Sequence, residues 1–276
     1  MLSVEPSKDI PLWQKLKGSL IVPVVALLCL VGVGRLQSLQ LNKLINRNKI
    51  VSIAEIKREV EAEELRLNLI KKTPTLGFDN LIAGWTWLSF NQYFGDELAR
   101  EQTGYQLSGK YFEIIVERDP LFLAPYLALY SSVSLFAGKP EQSVALMAKG
   151  LKSMSPKIPP QSYYVWRYKG TDELLFLEDI KSAQQSFAMA ARWASAYTDP
   201  ESQNVATISR RTADFLAGNP DKTQIRKAQE GAWALVVVNA LNTRDERTLK
   251  QTIRQIEARG GKVTITPEGR VSIKLP

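Results

Sequence analysis

No histidine occurs anywhere in the 276 residues, and the only cysteine is Cys29. The first absence removes the Ser/His and Cys/His nucleophile pairs, the usual zinc and iron ligand sets, and the commonest general base near neutral pH. The second removes disulfides. Because Cys29 sits inside an apolar run, the rest of the chain has no thiolate nucleophile either. A phosphate-cradling glycine loop and metal-ligand spacings are missing too. A catalyst built here would have only carboxylates, lysine, tyrosine and serine to work with. The densest acids, Glu61, Glu63 and Glu64, sit in a charged helical stretch and read as solvent-facing. No catalytic residue, cofactor or metal is therefore expected, and a membrane-tethered enzyme stands last among the functional readings.

What is present is ordinary in bulk and uneven in placement. Hydrophobic residues make up 45% and charged residues 23%, which fits a globular protein rather than a disordered or fibrous one. The formal charge is +8, an excess that favours anionic lipid, acidic partners or nucleic acid. Between Lys17 and Arg35 runs an uncharged stretch, GSLIVPVVALLCLVGVG. As a helix it would reach about 25 Å, close to a hydrocarbon core of roughly 30 Å. Trp13 before it suits the headgroup layer, Lys17 and Arg35 can snorkel outward, and Pro23 falls in the first turns.

A single-pass transmembrane helix over 19–35, after a short segment 1–18, is the expectation. A cleaved signal peptide ending at Gly32-Val33-Gly34 and a buried helix of a soluble domain are the alternatives; the cleavage site lacks Ala-x-Ala character. A lipoprotein box fails because Leu28 stands before Cys29, where a small residue is required. Lys8, Lys15 and Lys17 on one side balance Arg35, Lys43, Arg47 and Lys49 on the other, so the positive-inside rule does not orient the span. The basic lead and apolar run have the form of a signal-anchor, which places the soluble part in the periplasm or a lumen.

After the span, residues 36–74 contain a charged helix, Ile53 to Lys72, with Ile56, Val60, Leu67 and Ile70 on one face. A solvated stalk and a packed helix both fit it, and Pro74 stops it. From 75 to 243 the chain consists of apolar segments of helical period separated by Gly/Pro breaks. Asp79 is placed to cap a helix running to Phe94. That helix carries two apolar stripes, Leu81, Trp85, Leu88 and Ala83, Trp87, Phe90, Phe94, which predicts burial on two sides.

A pattern of one small residue, a large one four later and a further small or apolar one three after that occurs as Ser108, Phe112, Ile115. It returns as Ser143, Met147, Gly150 and again as Ala183, Phe187, Ala190, offset by 35 and then 40 residues. Small residues allow two helices to approach closely, and recurrence at this period is the mark of a helical repeat. The breaks agree. Asp119-Pro120 and Asp199-Pro200 each read as an N-cap followed by proline at the first helical position. Gly138-Lys139-Pro140 and Glu178-Asp179 make turns within pairs, and Gly218-Asn219-Pro220 separates Glu201 to Ala217 from Asp221 to Asn242 as a fourth pair. Trp233 to Leu241 reads as buried core rather than a second span. In the tail, 244–276, an amphipathic helix to Arg259 is followed by alternating strands, with Val263 and Ile265 facing Val271 and Ile273 across a Pro-Glu-Gly turn.

The stretch from Leu76 to Tyr197 resembles tetratricopeptide-repeat (TPR-like) proteins. Tyr126 to Pro156 matches the motif's helix–turn–helix layout, with Ser131, Ser143 and Gly150 at its small positions, and Ala183, Phe187 and Ala190 match its second-helix signature. It departs from the motif where large aromatics are replaced, as at Leu127 and Ser134, and one repeat is longer than the other by five residues. The segment LGFDNLIAGWTWLSFNQYFGD, Leu76 to Asp96, also resembles the opening of little-characterised membrane-anchored repeat proteins of photosynthetic bacteria. The resemblance implies a mainly α fold, a TPR-like helical-hairpin solenoid after one N-terminal transmembrane helix, closed by a small β-hairpin. It implies a plasma-membrane or thylakoid location, and a groove lined by Ala128, Ser132, Leu135, Tyr168, Asp172 and Leu175.

The first functional reading is therefore a membrane-anchored scaffold, assembly factor or accessory subunit that binds protein partners in a membrane complex. The second is a basic surface made of Lys139, Lys149, Lys152, Lys157, Arg167 and Lys169, a stretch in which Glu141 is the only acid. Such a surface would contact anionic lipid or an acidic partner. No nucleic-acid motif accompanies it, so nucleic acid is not expected.

Overall fold

The computed structural model describes residues 23–35, 37–38, 53–266 and 269–276. The chain divides into two compact units, Met1–Ile56 and Lys57–Pro276. In the first, residues 23–35 are helical with exposed side chains. The start of the expected span, its flanking Trp13 and Lys17, and Lys43, Arg47 and Lys49 lie outside the described residues. Among the described residues, no helix is long and apolar enough to cross a membrane.

The second unit is mainly helical. Helix α1 (Ile53–Lys72) runs into it as a packed helix rather than a solvated stalk. Leu67 is buried in the main core, and the Tyr111 hydroxyl donates to Glu63. Lys71 pairs with Glu113 at 2.9 Å and Lys110 with Glu64 at 2.5 Å. There follow α2 (Asp79–Gly95), α3 (Glu97–Thr103), α4 (Ser108–Arg118) and α5 (Leu123–Leu129), which continues as a π-helix over Tyr130–Phe136. Then come α6 (Pro140–Leu151), α7 (Tyr163–Leu175), α8 (Ile180–Ala194), α9 (Pro200–Ala217), α10 (Lys222–Asn242) and α11 (Glu246–Ala258).

Aspartates start many of these helices, because a carboxylate satisfies amides that the first turn leaves unpaired. Asp179, Asp199 and Asp245 accept from Ser182 N, Ser202 N and Thr248 N, and Asp221 forms a capping box with Gln224. Two expected caps are corrected. Asp79 is the first helical residue, not the cap, and its carboxylate accepts from Thr75 Oγ1 and Arg118. Asp119 ends α4, and Pro120 starts no helix: its carbonyl accepts the Tyr126 hydroxyl at 3.0 Å, and helix resumes at Leu123.

Helix α2 packs on α4, α4 on α6, α6 on α7, α7 on α8 and α8 on α9. All nine residues of the thrice-repeated small-and-large pattern are buried, on α4, α6 and α8. Burial on both sides of α2 is not observed. Ala83 and Phe90 enter the core beside α4, whereas Leu81, Trp85 and Leu88 are each at least 60% exposed.

The fourth pair also differs from expectation. Both helices form nearly at the expected bounds, but α10 does not pack along α9. Trp233 and Val237 instead join Leu135, Leu175, Ile256 and Ile273 in a second core. There α10 meets α11 and the antiparallel strands β1 (Lys262–Ile265) and β2 (Val271–Lys274). Their register is the expected one, Val263 opposite Ile273 and Ile265 opposite Val271. Helix α11 is fixed from the other side by Gln251, which donates to Leu135 O at 3.0 Å at the π-helix, and by Arg247, which donates to Phe94 O at 2.7 Å.

Candidate functional site

Close approach on one side and divergence on the other produce a cavity. Helices α7, α8 and α9 are held together by small residues. A Cβ added at Gly170 would lie 3.2 Å from Phe187 and Ser186, and Ala183, Ala190, Ala206 and Ala213 are all buried. Helix α10 is drawn off towards the hairpin. The space left between α5, α7, α9 and α10 has a volume of about 950 Å³, at the upper end of the range usual for ligand sites.

Its walls come from one stripe of each helix. Leu127, Tyr130 and Ser131 represent α5 and its π extension, and Arg167, Tyr168, Thr171 and Leu174 represent α7. Ile208, Arg211, Thr212 and Phe215 line it at i, i+3, i+4, i+7 on α9; Ala228, Gly231, Ala232 and Leu235 do so on α10. Asp245 and Thr248 also line it. Large apolar side chains stay accessible here: Ile208 is 41%, Phe215 39% and Leu235 68% exposed. The chemistry available is apolar contact, hydrogen bonding by Ser131, Thr171, Thr212 and Asn239, and charge pairing by two arginines.

Beside the lining residue Tyr130 lies a buried polar cluster on α7. The Oδ2 atom of Asp172 accepts Ser134 Oγ at 2.5 Å and Ser143 Oγ at 2.7 Å, while Oδ1 has no partner among the described residues. Burial, with a smaller push from the neighbouring Glu173 carboxylate, outweighs these two hydroxyl bonds and pushes the Asp172 carboxyl up to about 7. Tyr130, stacked on Tyr168 at 5.8 Å, also has a buried hydroxyl without a partner among the described residues, and burial pushes that phenol up. The adjacent Glu173 differs: Lys169 and Ser186 both donate to it.

Of the six residues expected to line a groove, Tyr168 does so. Ser132, Leu135, Asp172 and Leu175 are buried, and Leu175 borders a separate cavity of about 370 Å³. Ala128 is half-buried against the main core. Apart from Tyr168, the expected positions fall beside the lining ones. The cavity is faced by Leu127 of α5, Tyr130 and Ser131 of its π extension, and Arg167, Tyr168, Thr171 and Leu174 of α7, and one residue along a helix turns a side chain by about 100°.

The six basic residues do not act as one free set. Lys139 donates to Gln106 O at 3.0 Å, Lys149 pairs with Glu117 at 3.5 Å, and Lys169 is taken up by Glu173. Lys152 and Lys157 are exposed, and Arg167 lines the cavity. Arg211 and Phe215 lie outside the groove expected from the sequence, although the i, i+3, i+4, i+7 stripe on α9 carries their signal. Leu235 of α10 falls in the stretch expected as buried core and is instead 68% exposed at the cavity. Among the described residues, no group of His, Cys, Asp or Glu could hold a metal ion. Family models, curated proteins and solved structures offer no match to this chain.

Proposed function

We propose that this chain is a membrane-anchored interaction protein, a TPR-like helical-hairpin solenoid whose cavity receives a segment of a partner protein. The carrying observation is the cavity of about 950 Å³ between α5, α7, α9 and α10. Serial packing from α4 to α9 and the buried small-and-large pattern support the repeat reading. Exposed Ile208, Phe215 and Leu235 support binding, because large apolar side chains gathered around a concavity mark interaction sites. The uncharged run Gly18 to Gly34 supports the anchor.

The test is photocrosslinking in native membranes with the full chain, from a photoreactive residue placed at Tyr168 or Leu235. A partner crosslinked from both positions, and not from exposed Lys157, is the expected result. Equal crosslinking from all three, or none from the cavity, would refute the reading. Carbonate extraction of the same membranes tests the anchor separately: an anchored chain stays in the pellet.

A further inference from the structure

We infer that the segment taken by this cavity is acidic as well as apolar, with carboxylates that pair with Arg167 and Arg211. This rests on the cavity being a partner-segment site, and it adds the chemistry of the partner. The two arginines enter from different helices, α7 and α9, and neither guanidinium has a carboxylate partner among the described residues. Lys169, two residues from Arg167, shows the alternative fate of a cation on α7, being held by Glu173 and Ser186. The acid in the lining, Asp245, keeps its charge while its carboxylate accepts from Thr248 N at the start of α11. Two arginines against this one carboxylate leave the lining net positive.

Guanidinium groups bind carboxylates through paired N–H···O bonds, and the gain is greater beside apolar walls, where water is displaced. The chain's net charge of +8 would steer such a partner towards it. A peptide fits better than a lipid. Ser131, Thr171 and Thr212 donate their hydroxyl protons to Ala128 O, Arg167 O and Ile208 O and keep lone pairs as acceptors, and with the Asn239 amide they spread polar groups over four helical segments. That distribution suits the repeating amides of a chain, whereas an acyl lipid needs an apolar slot with polar groups at one end.

The experiment is selection of a random-peptide library on the detergent-solubilised full chain, in parallel with an Arg167→Glu/Arg211→Glu double variant. The wild type should enrich peptides that combine Asp or Glu with large apolar residues, and the double variant should shift enrichment towards Lys and Arg. A selected peptide should lose about tenfold or more in affinity for an Arg167→Gln/Arg211→Gln variant of unchanged melting temperature. Its binding should also weaken as salt rises. Peptides enriched without acidic bias, yet displaced by Leu235→Asp, would overturn this inference and leave the segment-binding reading standing. No enrichment, with lipid recovered from the cavity instead, would overturn both.

Discussion

Helices α8 and α10 both present small residues along one face, and only α8 is closely approached. On α8, Ala183, Ala190 and Ala194 are fully buried, with Gly170 of α7 on one side and Ala206 and Ala213 of α9 also in the core. On α10, Ala228, Gly231 and Ala232 border the cavity, and a Cβ added at Gly231 would meet nothing within 4 Å. Small residues permit close packing but do not cause it. The large residues decide. Phe187 and Trp193 lie in the cores that α8 shares with its neighbours, whereas Trp233 and Val237 commit α10 to Ile256 and Ile273.

The largest expected effect comes from breaking that commitment. Trp233 is 1% exposed and meets Phe176 with ring centres 5.2 Å apart. Trp233→Ala should cost about 3–5 kcal/mol in chemical denaturation. Hydrogen exchange should show α10, α11 and the hairpin losing protection while α7 to α9 keep theirs. Equal loss in α7 to α9 would mean that the two regions stand or fall together.

A smaller effect tests close approach within the stack. Gly150 faces Tyr126, which is fully buried and bonded to Pro120 O, so a Cβ at this position would overlap the tyrosine ring. The ring has nowhere to turn. Gly150→Ala should cost about 1–3 kcal/mol, measured as a fall in the denaturation midpoint.

These contrasts bear on what the sequence disclosed. Helix positions were legible wherever caps, prolines and glycines punctuated a 3.6-residue pattern, and Ile53–Lys72 and the hairpin register needed nothing more. The buried small-and-large pattern was legible because close packing dictates residue size directly. Partner choice was not: Pro200 and Asp221 specify where α9 and α10 begin, and nothing local specifies that α10 turns away. The π-helix at Tyr130–Phe136 was also hidden, since its bonds, such as Ala137 N to Ser132 O at 3.2 Å, depend on tertiary context. The site was therefore half visible. Arg167 and Tyr168 were singled out, but the cavity exists through a divergence of helices that the helical pattern does not encode.

Asp172 and Glu173 carry the comparison down to neighbouring side chains, one held by hydroxyls and one by a cation. The Asp172 carboxyl titrates at about 7 in the fold, against an ordinary value near 3.9. The folded state therefore binds the proton more tightly than the unfolded chain. The corresponding stability is fully present below about pH 4 and is lost as pH rises through about 7, by at most about 1.4 kcal/mol per pH unit. Asp172→Asn should keep an acceptor for Ser134 and Ser143 and abolish that decline. Denaturation midpoints of the two proteins from pH 4 to 7 should diverge; parallel curves would show a carboxyl that is not held neutral.

The smallest effect has the opposite sign. Gly231 lies inside α10 with open space around the position of its missing Cβ. A glycine inside a helix costs about 0.5–1 kcal/mol relative to alanine, through the freedom it has in the unfolded chain. Gly231→Ala should therefore raise stability by about that amount, whereas Gly150→Ala lowers it. The same methyl enters the cavity wall beside Leu235, where a bound segment would meet it. Higher melting temperature combined with weaker retention of a crosslinked partner would show that α10 keeps its glycine for the ligand. A destabilised Gly231→Ala protein would instead mean that α9 and α10 close on each other in solution, and the contrast between α8 and α10 would disappear.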